Sequence, residues 1–174
     1  MWVFGYGSLM WDGWEDAYGC LHRTPAELAG HSRIFNKKSI KRWGTRVHPG
    51  PTLNLSPGGT CPGMAFEFDD DATPDIVAYL DKREACTATE LPVRLADETE
   101  VPALVYIYDG PRLIDGGLSL EERAAMILAA QGTAGSGFDY IKGVCAHLAG
   151  LGVADTAVDE LWYAVAALKE RRDD

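Results

Sequence analysis

The chain is short of basic residues, of paired cysteines and of long apolar runs, and each shortage excludes a class of function. Sixteen Lys and Arg stand against 26 Asp and Glu, a formal charge of -10. A nucleic acid or anionic membrane needs a clustered basic surface, so neither is expected as a partner. The one basic cluster, Lys37-Lys38-Ser39-Ile40-Lys41-Arg42, is short and reads as a solvated face. Cys20, Cys61, Cys86 and Cys145 are far apart, with no CxxC pair and no paired spacing among His22, His31, His48 and His147. That argues against a structural zinc site, and four reduced, mostly buried thiols are expected. No apolar run reaches membrane-spanning length, and the first residues lack the charged, apolar and small-residue zones of a signal peptide. The cytoplasm is the expected location.

What the sequence does contain is enough apolar residues for a core, in 174 residues that suit a single domain covering 1–174. The first two thirds read as short strands at Met1–Tyr6, Leu28–Phe35, Thr52–Leu55, Gly63–Phe68, Val93–Leu95 and Ala103–Tyr108. Turns rich in Gly and Pro separate them, such as His48-Pro49-Gly50-Pro51 and Ser56-Pro57-Gly58-Gly59. One helix interrupts this series, over Thr73–Cys86, with Thr73 as cap and Pro74 in the first turn. From Leu118 the pattern is helical. Ser119 and Glu122 have capping-box spacing before a helix that Gly132 ends, and further helices are expected over Phe138–Ala149 and Asp155–Arg171. The fold class is therefore α+β, a small β-barrel or strongly curved sheet with one inserted helix and C-terminal helices.

Two segments carry chemistry. At the N-terminus, the strand pattern Trp2-Val3-Phe4 runs into Gly5-Tyr6-Gly7-Ser8-Leu9-Met10. Gly5 and Gly7 permit a tight turn and close approach by a ligand, and successive peptide N–H groups in such a turn form a concavity suited to a carboxylate or phosphate. Two glycines at a strand end are also ordinary turn punctuation. The second segment is the inserted helix, where Ile76, Val77 and Leu80 define an apolar stripe whose next step is Glu84. A carboxylate in a core position must be hydrogen-bonded or paired, or else its affinity for protons rises, which suits it to general acid/base work. The alternatives are a helix end pointing to water, or a pair with Arg83 or a distant arginine.

Together, Val3-Phe4-Gly5-Tyr6-Gly7-Ser8-Leu9-Met10-Trp11 and Ala78-Tyr79-Leu80-Asp81-Lys82-Arg83-Glu84 resemble the γ-glutamylcyclotransferases, closest to the glutathione-directed ChaC type. Supporting similarity lies in Ser32-Arg33 followed by Phe35, in Cys61 to Ala65, in Val105-Tyr106-Ile107 and in Gly132 to Tyr140. The resemblance implies a mixed barrel with flanking helices, no metal or cofactor, and release of 5-oxoproline from a small γ-glutamyl substrate. Gly5, Tyr6, Gly7, Ser8, Leu9 and Met10 would bind the γ-glutamyl group, and Glu84 would be the general acid/base. The chain departs from that branch after Glu84, where Ala85-Cys86-Thr87-Ala88-Thr89 stands in place of a Gly-Gly-Tyr stretch. Other γ-glutamyl substrates, or a non-catalytic module that binds them, are the competing readings. Nothing in the sequence indicates an oligomeric state.

Overall fold

In the computed structural model, residues 1–114 and 116–173 are described. Five strands and four helices follow in chain order: β1 (Trp2–Gly5), β2 (His22–Ser39), β3 (Gly50–Glu67), α1 (Thr73–Glu84), β4 (Thr89–Leu95), β5 (Glu100–Val105), α2 (Leu120–Ala129), α3 (Gly137–Gly150) and α4 (Thr156–Asp173). The strands close into a barrel in the order β1-β3-β2-β4-β5. The barrel is mixed, because β1 runs antiparallel to β3, with Phe4 opposite Ala65, and parallel to β5, with Phe4 opposite Val105. One inserted helix and three C-terminal helices complete the expected α+β fold.

The chain divides into two compact units. The first comprises Met1–Ser32 and Leu55–Gly110. Its core is built on Val3, Phe4, Leu28, Phe66, Phe68, Val93 and Val105, all buried, with Ile76 and Leu80 of α1. Trp14 packs its ring 5.6 Å from Phe66 and 5.3 Å from Phe68, at angles that suit aromatic quadrupoles. The second unit comprises Arg33–Asn54 and the chain from Pro111 onward. Its helices bury Ala124 and Ile127 of α2, Tyr140, Ile141, Val144 and Leu148 of α3, and Val158, Leu161 and Val165 of α4. The Arg33 guanidinium is fully buried there, 3.0 Å from Asp155, which also accepts the Val158 N–H at the start of α4.

Some elements differ from the sequence reading. The segments 52–55 and 63–68 belong to one strand, and Ser56-Pro57-Gly58-Gly59 lies inside β3 rather than between two strands. Gly58 and Gly59 hold φ of +99° and +77°, so the local backbone has the turn character their residue types suggest while the strand continues through it. β5 begins at Glu100, earlier than expected, because Pro102 sits in the strand opposite Pro92 of β4 and hides the pattern. The helix α1 starts with Thr73 as its first residue, capped by Ala72, and ends at Glu84 rather than Cys86. Of the four thiols Cys61 is buried, and the others are partly buried. Among the described residues no helix is long and apolar enough to cross a membrane.

Candidate active site

The N-terminal turn follows directly from β1. Ser8–Met10 form a single 3-10 turn after Gly7, whose φ of −129° and ψ of −136° lie outside the usual basins of a side-chain-bearing residue. The Met10 N–H donates to the Gly7 carbonyl at 2.9 Å, and Trp11 and Asp12 donate to the Ser8 carbonyl. The first N–H groups of such a turn have no partner within it. Tyr6, Leu9 and Met10 are buried. Their side chains anchor the turn, so what it presents is backbone together with the Ser8 hydroxyl. The Tyr6 phenol donates to the Tyr106 carbonyl at 2.6 Å, and Trp14 donates its indole N–H to the Leu9 carbonyl at 3.1 Å. Arg23 donates to the Met10 carbonyl while pairing at 3.2 Å with the buried Glu15. Gly5 lets the turn pack back on its own strand, since a Cβ there would lie 3.0 Å from Leu9 Cβ and 3.3 Å from the Phe66 ring.

Against this turn stands the end of α1. Arg83 is only 4% exposed, and its Nη2 donates to Ser8 Oγ at 3.2 Å. Both terminal nitrogens also bond Asp12, Nη1 to Oδ1 and Nη2 to Oδ2, in a two-point fork. Nη1 additionally reaches the Tyr79 hydroxyl at 3.2 Å, one helical turn earlier on α1. The remaining edge of the guanidinium faces Glu84, with Nε 3.3 Å from Oε1, an ion-pair distance without hydrogen-bond alignment. Burial works against the Arg83 charge, but the bond to Asp12 and the charges of Asp12 and Glu84 hold it above its ordinary value. It is a permanent cation.

Glu84 keeps 18% of its side chain exposed, so it borders solvent while facing the turn's anchor. Three residues before Glu84 on α1, Asp81 accepts the Tyr106 hydroxyl at 3.0 Å. Burial first, and then Asp81, keeps the Tyr106 phenol protonated well above the usual range, with Cys86 and Glu84 adding to the effect. Tyr106 is thus a neutral donor whose backbone carbonyl receives Tyr6. Ala85 ends α1 in the left-handed conformation, φ +58° and ψ +35°, its N–H bonded to the Asp81 carbonyl at 2.8 Å. That sharp stop comes one residue after Glu84.

The two segments singled out in the sequence therefore meet, through Arg83. The sequence names Arg83 as a possible partner of Glu84, a pair the structure contains, but gives no sign of its link to the turn or of Asp12. Arg83 was visible in principle, because it stands three residues beyond Leu80 and seven beyond Ile76, on the same stripe that pointed to Glu84. Asp12 had no such signal, since it lies in a loop after the turn and its role depends on a contact 71 residues away.

The chain, a closed mixed barrel with a glycine turn set against a helix-borne acid, belongs to the ChaC-like protein family, whose model matches residues 1–168. It is 31% identical over 174 residues to the glutathione-specific gamma-glutamylcyclotransferase of Escherichia coli K12, covering 97% of this chain and 74% of that protein. It is 30% identical over 164 residues to the glutathione-specific gamma-glutamylcyclotransferase of Schizosaccharomyces pombe, covering 81% of this chain and 79% of that protein. Its fold matches the crystal structure of a γ-glutamyl cyclotransferase specific to glutathione from yeast, with a TM-score of 0.85, 21% identity and 96% coverage of both chains.

Proposed function

We propose that the chain is a γ-glutamylcyclotransferase that converts glutathione to 5-oxoproline and Cys-Gly, with Glu84 as general acid/base and the turn Gly5–Met10 as holder of the γ-glutamyl group. The observation that carries this reading is the bridge made by Arg83, 3.2 Å from Ser8 Oγ on the turn and 3.3 Å from Glu84 Oε1 on the helix. It gives an anion-holding turn and a proton carrier one shared anchor. The names of the Escherichia coli and fission-yeast relatives support glutathione as substrate.

In the reaction, N–H groups of the turn hold the substrate's α-carboxylate, which fixes the α-amine beside its own γ-carbonyl. Glu84 takes a proton from the α-ammonium, and the freed amine attacks the γ-carbonyl carbon. The new C–N bond closes the five-membered lactam as the bond to the cysteinyl nitrogen breaks, and Glu84 returns a proton to that departing nitrogen. No water is consumed. A second passage through Glu84 carries the ring nitrogen's remaining extra proton to the released amine, so the two protons lost by the ring nitrogen equal the two gained by that amine.

The departure after Glu84 favours one alternative within the same chemistry, a cyclotransferase for γ-glutamyl amines, because Ala85 to Thr89 supply no aromatic to the leaving group. A panel of glutathione, other γ-glutamyl peptides and γ-glutamyl amines, read as 5-oxoproline, tests the assignment. Glutathione is expected to give the highest kcat/KM. Faster turnover of the amines overturns the substrate, and ligand-induced stabilisation without turnover anywhere in the panel overturns the enzyme reading.

A further inference from the structure

The contact between Arg83 and Glu84 poses a problem for the chemistry. A guanidinium 3.3 Å from a carboxylate favours the ionised form, and an opposite charge this close commonly lowers a carboxylate's proton affinity by about one to three pH units. A carboxylate held too firmly as an anion is a weak base and cannot return its proton to the leaving amine. The site needs the anchoring power of Arg83 without the full force of its charge on Glu84.

Asp12 meets that need. Both of its oxygens engage both terminal nitrogens of Arg83, so the two strongest donor directions of the guanidinium point at Asp12, and only the Nε edge is turned to Glu84. The Asp12 side chain is 14% exposed and that of Arg83 4%, so the pair is largely shielded and its charges cancel at close range. Tyr79 and Ser8 occupy the same two nitrogens with neutral oxygens, which adds direction but no charge. Asp81, Cys86 and the Tyr106 hydroxyl lie in the same neighbourhood as Glu84. Arg83 is a cation in ion-pair contact with Glu84, and Asp12 is the anion seated on it.

We propose that Asp12 is a positioning residue that neutralises Arg83 and thereby stops this anchor from fixing Glu84 as a permanent carboxylate. The inference rests on the role of Glu84 proposed above. It assigns the loop that follows the substrate turn a part in setting the proton affinity of a residue on α1.

The test is the pH dependence of kcat in Asp12→Asn, Arg83→Gln and the double variant, together with a 13C-carboxyl NMR titration of Glu84, identified as the signal absent from Glu84→Gln. Asparagine keeps an acceptor and the shape of the fork but removes the charge. Asp12→Asn is expected to move the midpoint of Glu84, and the acidic limb of kcat with it, down by about one pH unit. Arg83→Gln is expected to move both upward. In the Arg83→Gln background, Asp12→Asn is expected to lower the midpoint again, because the two fixed charges act on Glu84 additively. An unmoved or raised midpoint in Asp12→Asn overturns the proposal, as does a double variant that titrates at the same midpoint as Arg83→Gln alone. If Arg83→Gln does not fold, the single variant at Asp12 still decides. Activity that survives Glu84→Gln removes the catalytic reading of Glu84 instead, and the NMR midpoints then judge the charge coupling separately.

Discussion

A methyl group added at Gly63 would sit 2.4 Å from the Gly5 carbonyl oxygen and 2.8 Å from the Phe4 ring, both on the strand that leads into the turn. Gly63→Ala must therefore push β1 away from β3. We expect a loss of about 2 to 3 kcal/mol in denaturant melts, with turnover falling further than stability because Gly5 moves with the strand. Tyr106 is a contrasting case. Its buried side chain bonds Asp81 through the hydroxyl, and Tyr106→Phe leaves that carboxylate short of a donor. A cost of about 1 to 2 kcal/mol is expected, read by the same melts. At this scale the sequence was legible where side-chain type clashed with position. Glu84 stood out because a carboxylate fell on an apolar stripe. Arg83 shared that stripe, but long basic side chains commonly bury their stems and keep their heads in water, so its burial was not evident.

Helix ends supply the predictions at the scale of elements. Ala85 closes α1 in a conformation that costs a residue with a Cβ about 1 to 2 kcal/mol and costs glycine little. Ala85→Gly is expected to stabilise the protein by about 1 kcal/mol in thermal or denaturant melts, part of the gain being offset by the freer unfolded chain. In the second unit, α3 begins with a reciprocal capping box. The Asp139 N–H donates to Ser136 Oγ at 3.0 Å, while Asp139 Oδ2 accepts the Ser136 hydroxyl at 2.6 Å and its N–H at 3.0 Å. Ser136→Ala should cost about 1 kcal/mol. Those bonds from Ser136 lower the proton affinity of Asp139 in the folded state. The linked stability is present above the unfolded carboxylate range and is lost as pH falls through the lower folded value, so the gap between wild type and Ser136→Ala should narrow in acid. The capping box at Ser119 and Glu122 was readable because its spacing is local. The continuity of β3 through Pro57-Gly58-Gly59 was not, because local turn chemistry there is accommodated inside a ladder that only the neighbouring strand defines.

For the whole molecule, the barrel, the inserted helix and the C-terminal helices were all foreshadowed by the order of patterns along the chain, and similarity to ChaC-like proteins extends over residues 1–168. The acidic balance, 26 carboxylates against 16 basic side chains, gives the site's few buried cations a particular weight. Arg83 is one of them, and it joins a turn near residue 8 to an acid at residue 84. The account therefore stands on one claim, that this pairing closes a γ-glutamyl group into a lactam. It is tested most directly by incubating wild type and Glu84→Gln with glutathione and measuring 5-oxoproline and Cys-Gly together. We predict equimolar release by wild type and a loss of at least about a hundredfold in the folded variant, the scale expected for removing a general acid/base. No release by wild type, or release by Glu84→Gln at the wild-type rate, would contradict it.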